Sequence, residues 1–442
     1  MSSPGHAARA AAATLLAGVL DAGRTLDDQA DALASLAPAE RARAQRLAGE
    51  TLRHLGRIDA VLAPHLRKPP PAPARHALRL AATEMLVDGT PPHAAVDGAV
   101  RLVRSQRRAT HLAGLVNAVA RRVAEARDAW EAAPEDPLPN WLAGPVGAAW
   151  GLDAAAAIAA AHRRPAPLDL TLRDPSEAAR WAEALAAEIL PTGSLRRVAG
   201  GQVSMLPGFA EGAWWVQDAG AALPARLLGS VRGRRVLDVC AAPGGKTLQL
   251  AAAGAEVTAL DVSPGRLKRL DENLARTGLA ARVVAADAFG WEPEAEYDAI
   301  LLDAPCSASG TIRRHPDLPH LPRDLKPLRE LQARLFARAW DWLAPGGRLV
   351  YATCSILPAE GEDQAAAFLA GRPDARRIAA DPKAIGAPVE WVDAAGALRL
   401  RPDFWPGRGG IDGFYATTFE RAAPLRSRSK RPGGSTRGRL GG

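Results

Sequence analysis

Two of the chain's three cysteines sit in loops rich in small and polar residues. Cys306 lies in LLDAPCSASGTIRRHPD (301–317) and Cys354 in YATCSILPAEGEDQ (351–364). Cysteine is both a good nucleophile and a good leaving group, so such a pair suits covalent catalysis. The plain alternative is two small buried hydrophobes, since free cysteine is often buried. The third thiol, Cys240, is remote in sequence. Three scattered cysteines make neither a disulfide scaffold nor a CxxC zinc pattern, so no metal site is expected. A reducing cytoplasm fits.

A further constellation is VLDVCAAPGGKTLQLA (236–251). An apolar strand runs into Cys240, Ala241 and Ala242; Pro243, Gly244 and Gly245 make a tight turn, and a helix starts near Lys246. Glycines let the backbone approach a ligand, and a helix N-terminus favours anionic groups. Asp261, Asp287 and Asp303 end the next three strands, at the edge where such sheets bind ligands. An acid at the second strand can accept hydrogen bonds from ribose hydroxyls. The spacing is neither GxGxxG nor GxxxxGK[ST], which sets aside nicotinamide dinucleotides and nucleoside triphosphates. A nucleoside without a pyrophosphate remains, and S-adenosylmethionine is the natural candidate.

These residues need a sheet to carry them. Apolar strands at 234–240, 256–261, 281–287, 297–303 and 347–355 alternate with helices after 245, at 264–277 and near 324–343. That rhythm predicts a parallel, doubly wound sheet over 231–423. Upstream, 146–230 mixes helices (146–162, 175–189) with short strands (168–173, 194–198) and reads as a small α/β module. The proline-rich segment 129–145 reads as a linker. Residues 1–128 never alternate like strands; helical periodicity over 7–23, 39–66, 75–87, 93–106 and 109–128 predicts an all-α bundle. The tail 424–442 has low complexity and is expected to be disordered.

With 442 residues, 48% of them apolar and 24% charged, the chain has ample material for several cores. No run reaches the roughly 18 apolar residues that cross a membrane. The alanine-rich start is short and is followed by Asp21, Arg24 and Asp27, so no leader is expected. The net charge of +8 is uneven: residues 1–128 carry 18 basic and 12 acidic side chains, and 421–442 carry seven basic and none acidic. Both ends suit a phosphate backbone, although a solubilising surface has the same composition.

CAAPGGKT, DAPCSASGTIRRHPD and YATCSILPAEGEDQ closely resemble the motifs of the Sun-type (NOL/NOP/Sun) RNA cytosine-5 methyltransferases. QDAGAALPARLL (217–228) and GIDGFYATTFER (410–421) look like that family's pre-motif and closing strand. ARAQRLAGETLRHLGRIDAVL, PPHAAVDGAVRL and AGLVNAVARRV resemble the NusB-type RNA-binding bundle. The fusion resembles the bacterial enzymes that methylate cytosine in 16S ribosomal RNA.

The resemblance implies a Rossmann-like class I methyltransferase using S-adenosyl-L-methionine, a monomer with 16S rRNA as its partner and no membrane. It implies that Cys354 attacks C6 of cytosine and Cys306 assists release, with Asp303 at the base edge. Cofactor contacts would come from Cys240, Ala241, Ala242, Pro243, Gly244, Gly245, Lys246, Asp261, Asp287 and Asp303. Lys246 would hold the cofactor carboxylate or a nearby phosphate, or is a solvated helix residue. Arg313, Arg314 and His315 would clamp RNA phosphate or order their loop. Ala308 departs mildly from the family's usual glycine or threonine.

Other readings give different roles. In DNA cytosine-5 methylation Cys306 would attack, but no ENV motif is present and Cys354 would lack a role. Amino-group methylation normally uses NPPY or DPPY, where this chain has DAPC. A tRNA or large-subunit rRNA substrate, or a non-catalytic NusB-like RNA-binding factor, remain the alternatives.

Overall fold

The computed structural model describes residues 5–198, 201–322 and 324–423. The tail 424–442 therefore lies outside the described residues. Six helices build the N-terminal unit: His6–Leu20, Pro38–Arg53, Leu55–Leu62, Ala72–Leu86, Pro92–Arg104 and Ala113–Val123. Their buried faces follow helical spacing, as in Ala8, Ala12, Leu15, Leu16 and Val19. Prolines in the first turn of 38–53, 72–86 and 92–104 sit where a missing N–H costs nothing.

The single helix expected over 39–66 is broken at His54, whose φ of −117° and ψ of 24° leave the helical region. The restart is capped from outside: the Gly56 N–H donates to the Asp136 carboxylate at 2.9 Å. That cap belongs to the segment expected as a linker, 129–145, which is folded instead. Helices Arg127–Ala132 and Asn140–Trp150 occupy its two ends. Trp130 is buried under the Arg57 guanidinium, 4.2 Å from its ring centroid. Proline content misled here because these prolines start and flank helices. The helix expected over 146–162 is likewise two, Asn140–Trp150 and Leu152–His162, parted by Gly151 at φ 82°. Leu142, Val146, Ile158 and Ala159 from this pair join the core of the N-terminal bundle.

A small antiparallel sheet follows, with strands β1 (Leu168–Leu172), β2 (Glu188–Ile189), β3 (Leu195–Arg197) and β4 (Trp214–Val216) in the order β2-β3-β1-β4. Its β1 and β3 are the strands predicted from sequence. The neighbouring helix stops at Leu185, because Ala186 is left-handed with φ 48°.

The large sheet holds β5 (Arg235–Val239), β6 (Glu256–Asp261), β7 (Arg282–Ala285), β8 (Tyr297–Asp303), β9 (Leu343–Thr353), β10 (Ala375–Ile378), β11 (Leu398–Arg399) and β12 (Tyr415–Arg421). Its order is β10-β12-β9-β8-β5-β6-β7, with β11 beside β12. The strands from β9 to β7 run parallel, as expected. The sheet as a whole is mixed, because β12 pairs antiparallel with both β9 and β10. The chain reaches β12 across the carboxyl edge, where the Gly413 N–H donates to Gly310 O at 2.8 Å, so it enters from the opposite end.

The bundle docks on the loops that carry the two thiols. Ile312, Leu318 and Leu321 beyond Cys306, and Ile356 and Leu357 beyond Cys354, belong to the bundle's apolar core. Arg53 donates to the carbonyls of His162 and Arg313, at 3.0 and 3.1 Å, and Trp150 Nε1 donates to Ile356 O at 3.2 Å.

His162 is buried at this junction with Nε2 unpartnered. Burial, then the charges of Arg313, Arg53 and Arg163, push it down to about 3. The folded state therefore prefers neutral histidine. Its stability contribution is present above the unfolded value near 6.5 and is lost as pH falls toward 3. Between those values wild-type melting temperature should fall more steeply with acid than that of His162→Gln. Parallel slopes would remove His162 from the acid response.

Candidate active site at the carboxyl edge of the sheet

Strand register assembles the site. Val239 of β5 lies beside Leu260 of β6 and Leu302 of β8, and Asp303 lies beside Ala352 of β9. One residue further along each strand, Cys240, Asp261 and Asp303 line up along the edge. The Gly-rich turn follows Cys240, and the thiol loops follow Asp303 and Thr353.

The turn is tightly constrained. Gly244 has φ 106°, and a Cβ there would meet Leu270 Cδ1 at 2.3 Å, so only glycine fits. Gly245 opens the helix Gly245–Ala252. Ala241 and Ala242 are buried while Pro243 is exposed. Asp261 accepts from the N–H groups of Ala242 at 3.0 Å and Ser263 at 2.9 Å, tying the turn to β6. Asp287 is exposed just beyond β7 and accepts from Phe289 N–H at 3.0 Å.

Cys240 contributes backbone to this edge, at φ 62°. Burial, with the charges of Asp261, Asp303 and Asp238, pushes its thiol up, so it stays protonated. Beneath the turn is a residue that motif reading passed over. Asp238 is fully buried, accepts from Thr247 Oγ1 at 2.6 Å, and leaves Oδ1 without a partner. Burial, with the Asp303 and Asp261 charges, pushes it up to about 7.

Lys246 is neither solvated nor free. It is buried, and its Nζ donates to Asp303 Oδ2 at 2.6 Å. Burial alone would lower the ammonium; Asp303, then Asp238 and Cys354, outweigh it and raise the group. A cation therefore sits directly against the Asp303 carboxylate.

The two thiols meet. Cys306 Sγ and Cys354 Sγ lie 3.4 Å apart, both half-buried. The hydrogen bond with Cys354, then burial and the charges of Cys354 and Glu360, hold Cys306 well above the usual thiol range. Either thiol can donate in this contact. Cys354 lies against the Cys306 sulfur, and the nearby Lys246 ammonium is paired with Asp303.

Arg313 and Arg314 order their loop. Arg313 is 1% exposed and donates to Asp412 Oδ1 at 2.9 Å; Arg314 donates to Asp412 Oδ2 at 2.9 Å and Asp218 Oδ2 at 2.6 Å. Asp218 and Asp412 stand in the quoted pre-motif and closing-strand segments, but no sequence spacing links them to 313. His315 is half-buried beside the bundle. Among the described residues no group of three His, Cys, Asp or Glu side chains is placed to hold a metal ion.

Comparison with known proteins agrees with this architecture. Residues 225–420 match the family model of the 16S rRNA methyltransferase RsmB/F, and residues 6–125 match the NusB family. The ribosomal RNA small subunit methyltransferase B of Xanthomonas campestris pv. campestris is 38% identical over 96% of this chain and 99% of its own. That of Klebsiella pneumoniae subsp. pneumoniae is 38% identical over 83% of this chain and 90% of its own. The crystal structure of PH0851 shares the fold over 95% of this chain and 100% of its own, with a TM-score of 0.72 at 24% identity. With identity at this level over nearly the full length of both chains, the protein belongs to the ribosomal RNA small subunit methyltransferase B family.

Proposed function

We propose that the protein transfers a methyl group from S-adenosylmethionine to C5 of a cytosine in 16S ribosomal RNA, with Cys354 bonded to C6 during the reaction. The observation that carries this reading is the contact of the two thiols at 3.4 Å, beside the Lys246–Asp303 pair.

The strand-end residues fit the cofactor. The Cys240–Lys246 turn presents backbone that no Cβ could replace at Gly244, and the buried Asp238 Oδ1 lacks a partner beneath it. Asp261 and Asp287 would take the nucleoside hydroxyls, and Asp303 with Lys246 the amino-acid end. S-adenosylmethionine supplies a sulfonium methyl group, electrophilic enough to be captured by an activated C5.

The chain's residues supply the activation. Cytosine C5 is a poor nucleophile until a thiolate adds to C6 and makes it enamine-like. Cys354 forms that bond, with Cys306 in contact beside it. Asp303 accepts hydrogen bonds from the cytosine edge at N3 or N4 and stabilises the protonated ring. After methylation, loss of the C5 proton and expulsion of the Cys354 sulfur restore aromaticity, and Cys306 assists this release. The base must leave its stack to reach the site, which favours unpaired RNA. The basic NusB-like bundle delivers that RNA, through contacts with its phosphates. The protein works as a monomer in the cytoplasm, where free thiols stay reduced.

The test is transfer of labelled methyl from S-adenosylmethionine to unmethylated 16S rRNA, with tRNA and 23S rRNA alongside. Label recovered as 5-methylcytosine in 16S rRNA is the expected result. Label in tRNA or 23S rRNA alone would keep the chemistry and overturn the substrate. No label in any of these RNAs or in small-subunit particles would return the protein to a NusB-like binding role.

A further inference from the structure

The thiols sit on separate loops, after β8 and after β9, and no covalent link sets their spacing. We propose that Glu360 is the positioning residue that does so. The inference rests on the reading that Cys354 and Cys306 carry the chemistry.

Glu360 is 0% exposed, and four donors converge on its carboxylate. Ser307 donates twice, from its N–H to Oε1 at 2.9 Å and from its hydroxyl to Oε2 at 2.5 Å. The Ser355 hydroxyl donates to Oε2 at 2.7 Å, and Gln332 Nε2 to Oε1 at 3.1 Å. Ser307 directly follows Cys306, and Ser355 directly follows Cys354. One carboxylate thus grips the next residue after each thiol.

The preceding side of each thiol is tied to the same cluster. Gln332 also donates to Pro305 O at 2.9 Å, just before Cys306. The Glu360 carbonyl accepts from Tyr351 OH at 2.8 Å and Thr353 Oγ1 at 3.3 Å, just before Cys354. A third hydroxyl, Ser309, closes the cluster, 3.0 Å from Ser355 Oγ and accepting from Ile356 N–H at 3.1 Å.

Among the described residues no lysine, arginine or histidine forms an ion pair with Glu360. A buried carboxylate without a cation is costly to keep, and an apolar residue would fill the same space more cheaply. What an apolar residue cannot do is accept four hydrogen bonds from two loops. The carboxylate is explained by the loop geometry it imposes, and that geometry brings the thiols to 3.4 Å.

The experiment compares Glu360→Leu and Glu360→Gln with wild type in the full-length protein. Leucine removes all four acceptor contacts. Glutamine keeps one oxygen for Ser307 N–H and Gln332, while its amide donates to serine hydroxyls, which can turn to accept. Displacing reacting groups by about 1 Å costs about 100-fold in rate. Glu360→Leu should therefore lose about 100-fold in kcat with KM for RNA and S-adenosylmethionine unchanged, and Glu360→Gln should recover most of it.

A second readout is independent of turnover. Diamide, a diazene, takes the hydrogens of two adjacent thiols and becomes the hydrazine, leaving a disulfide. The Cys306–Cys354 disulfide should form at least about tenfold more slowly in Glu360→Leu, as the thiols part. If Glu360→Leu no longer binds S-adenosylmethionine, Ser355→Ala takes its place, removing one tie to the Cys354 loop. Wild-type kcat or wild-type cross-linking in the folded variant would overturn the proposal. The reading it rests on fails differently, by full activity of Cys354→Ala while Glu360 still governs cross-linking.

Discussion

Cys354→Ala abolishes methyl transfer, by at least about 10³-fold, while binding of S-adenosylmethionine and RNA survives. The size follows from the chemistry: without addition at C6 there is no enamine, and C5 has no other route to nucleophilicity. Binding survives because alanine removes a half-buried sulfur and no hydrogen bond that orders the turn or the loops. The assay is labelled methyl transfer, with equilibrium binding of each ligand measured on the same preparation. Cys354→Ser is equally inactive, because an alkoxide is far less available than a thiolate at neutral pH. Retained turnover in Cys354→Ala would move the nucleophile elsewhere, and Cys306 is the only other thiol in contact.

Cys306→Ala has the opposite signature. It still forms the Cys354–C6 bond, but release stalls, and enzyme accumulates as a covalent RNA adduct that survives denaturing electrophoresis. Two features support that division of labour. Cys306 is held well above the usual thiol range, by its bond to Cys354 first and burial second, which disfavours its thiolate. It also lies 3.4 Å from the leaving sulfur, where a protonated thiol can act at the elimination step. The expected result is about one adduct per active site and little turnover beyond it. The Cys306→Ala, Cys354→Ala double variant forms no adduct. Free turnover by Cys306→Ala would end its role in release, and loss of the adduct with loss of activity would make Cys306 the nucleophile.

Much of this site is legible in the sequence. Apolar strands of five to eleven residues, each ended by a polar or glycine-rich turn, locate the carboxyl edge of a parallel sheet. Knowing where β5, β6, β8 and β9 end is enough to put Cys240, Asp261, Asp303 and Cys354 on one rim. The periodicity of the N-terminal third was equally plain, because buried alanines and leucines recur at helical spacing. The segment 129–145 was not: proline marks helix starts as well as linkers, and Trp130 under Arg57 and Asp136 on the Gly56 N–H show which applies here.

Three things depended on tertiary structure. Arg313 and Arg314, read as RNA clamps or loop-ordering groups, are consumed by Asp218 and Asp412. Lys246 spends its charge on Asp303. Glu360 ties together two loops that sequence lists as separate motifs. Local pattern determines which residues end each strand, since periodicity and turn chemistry act over a few neighbours. Which charges cancel, and which buried acceptor gathers which donors, is settled only when strands remote in sequence lie side by side, because hydrogen bonds act over about 3 Å of space regardless of chain separation.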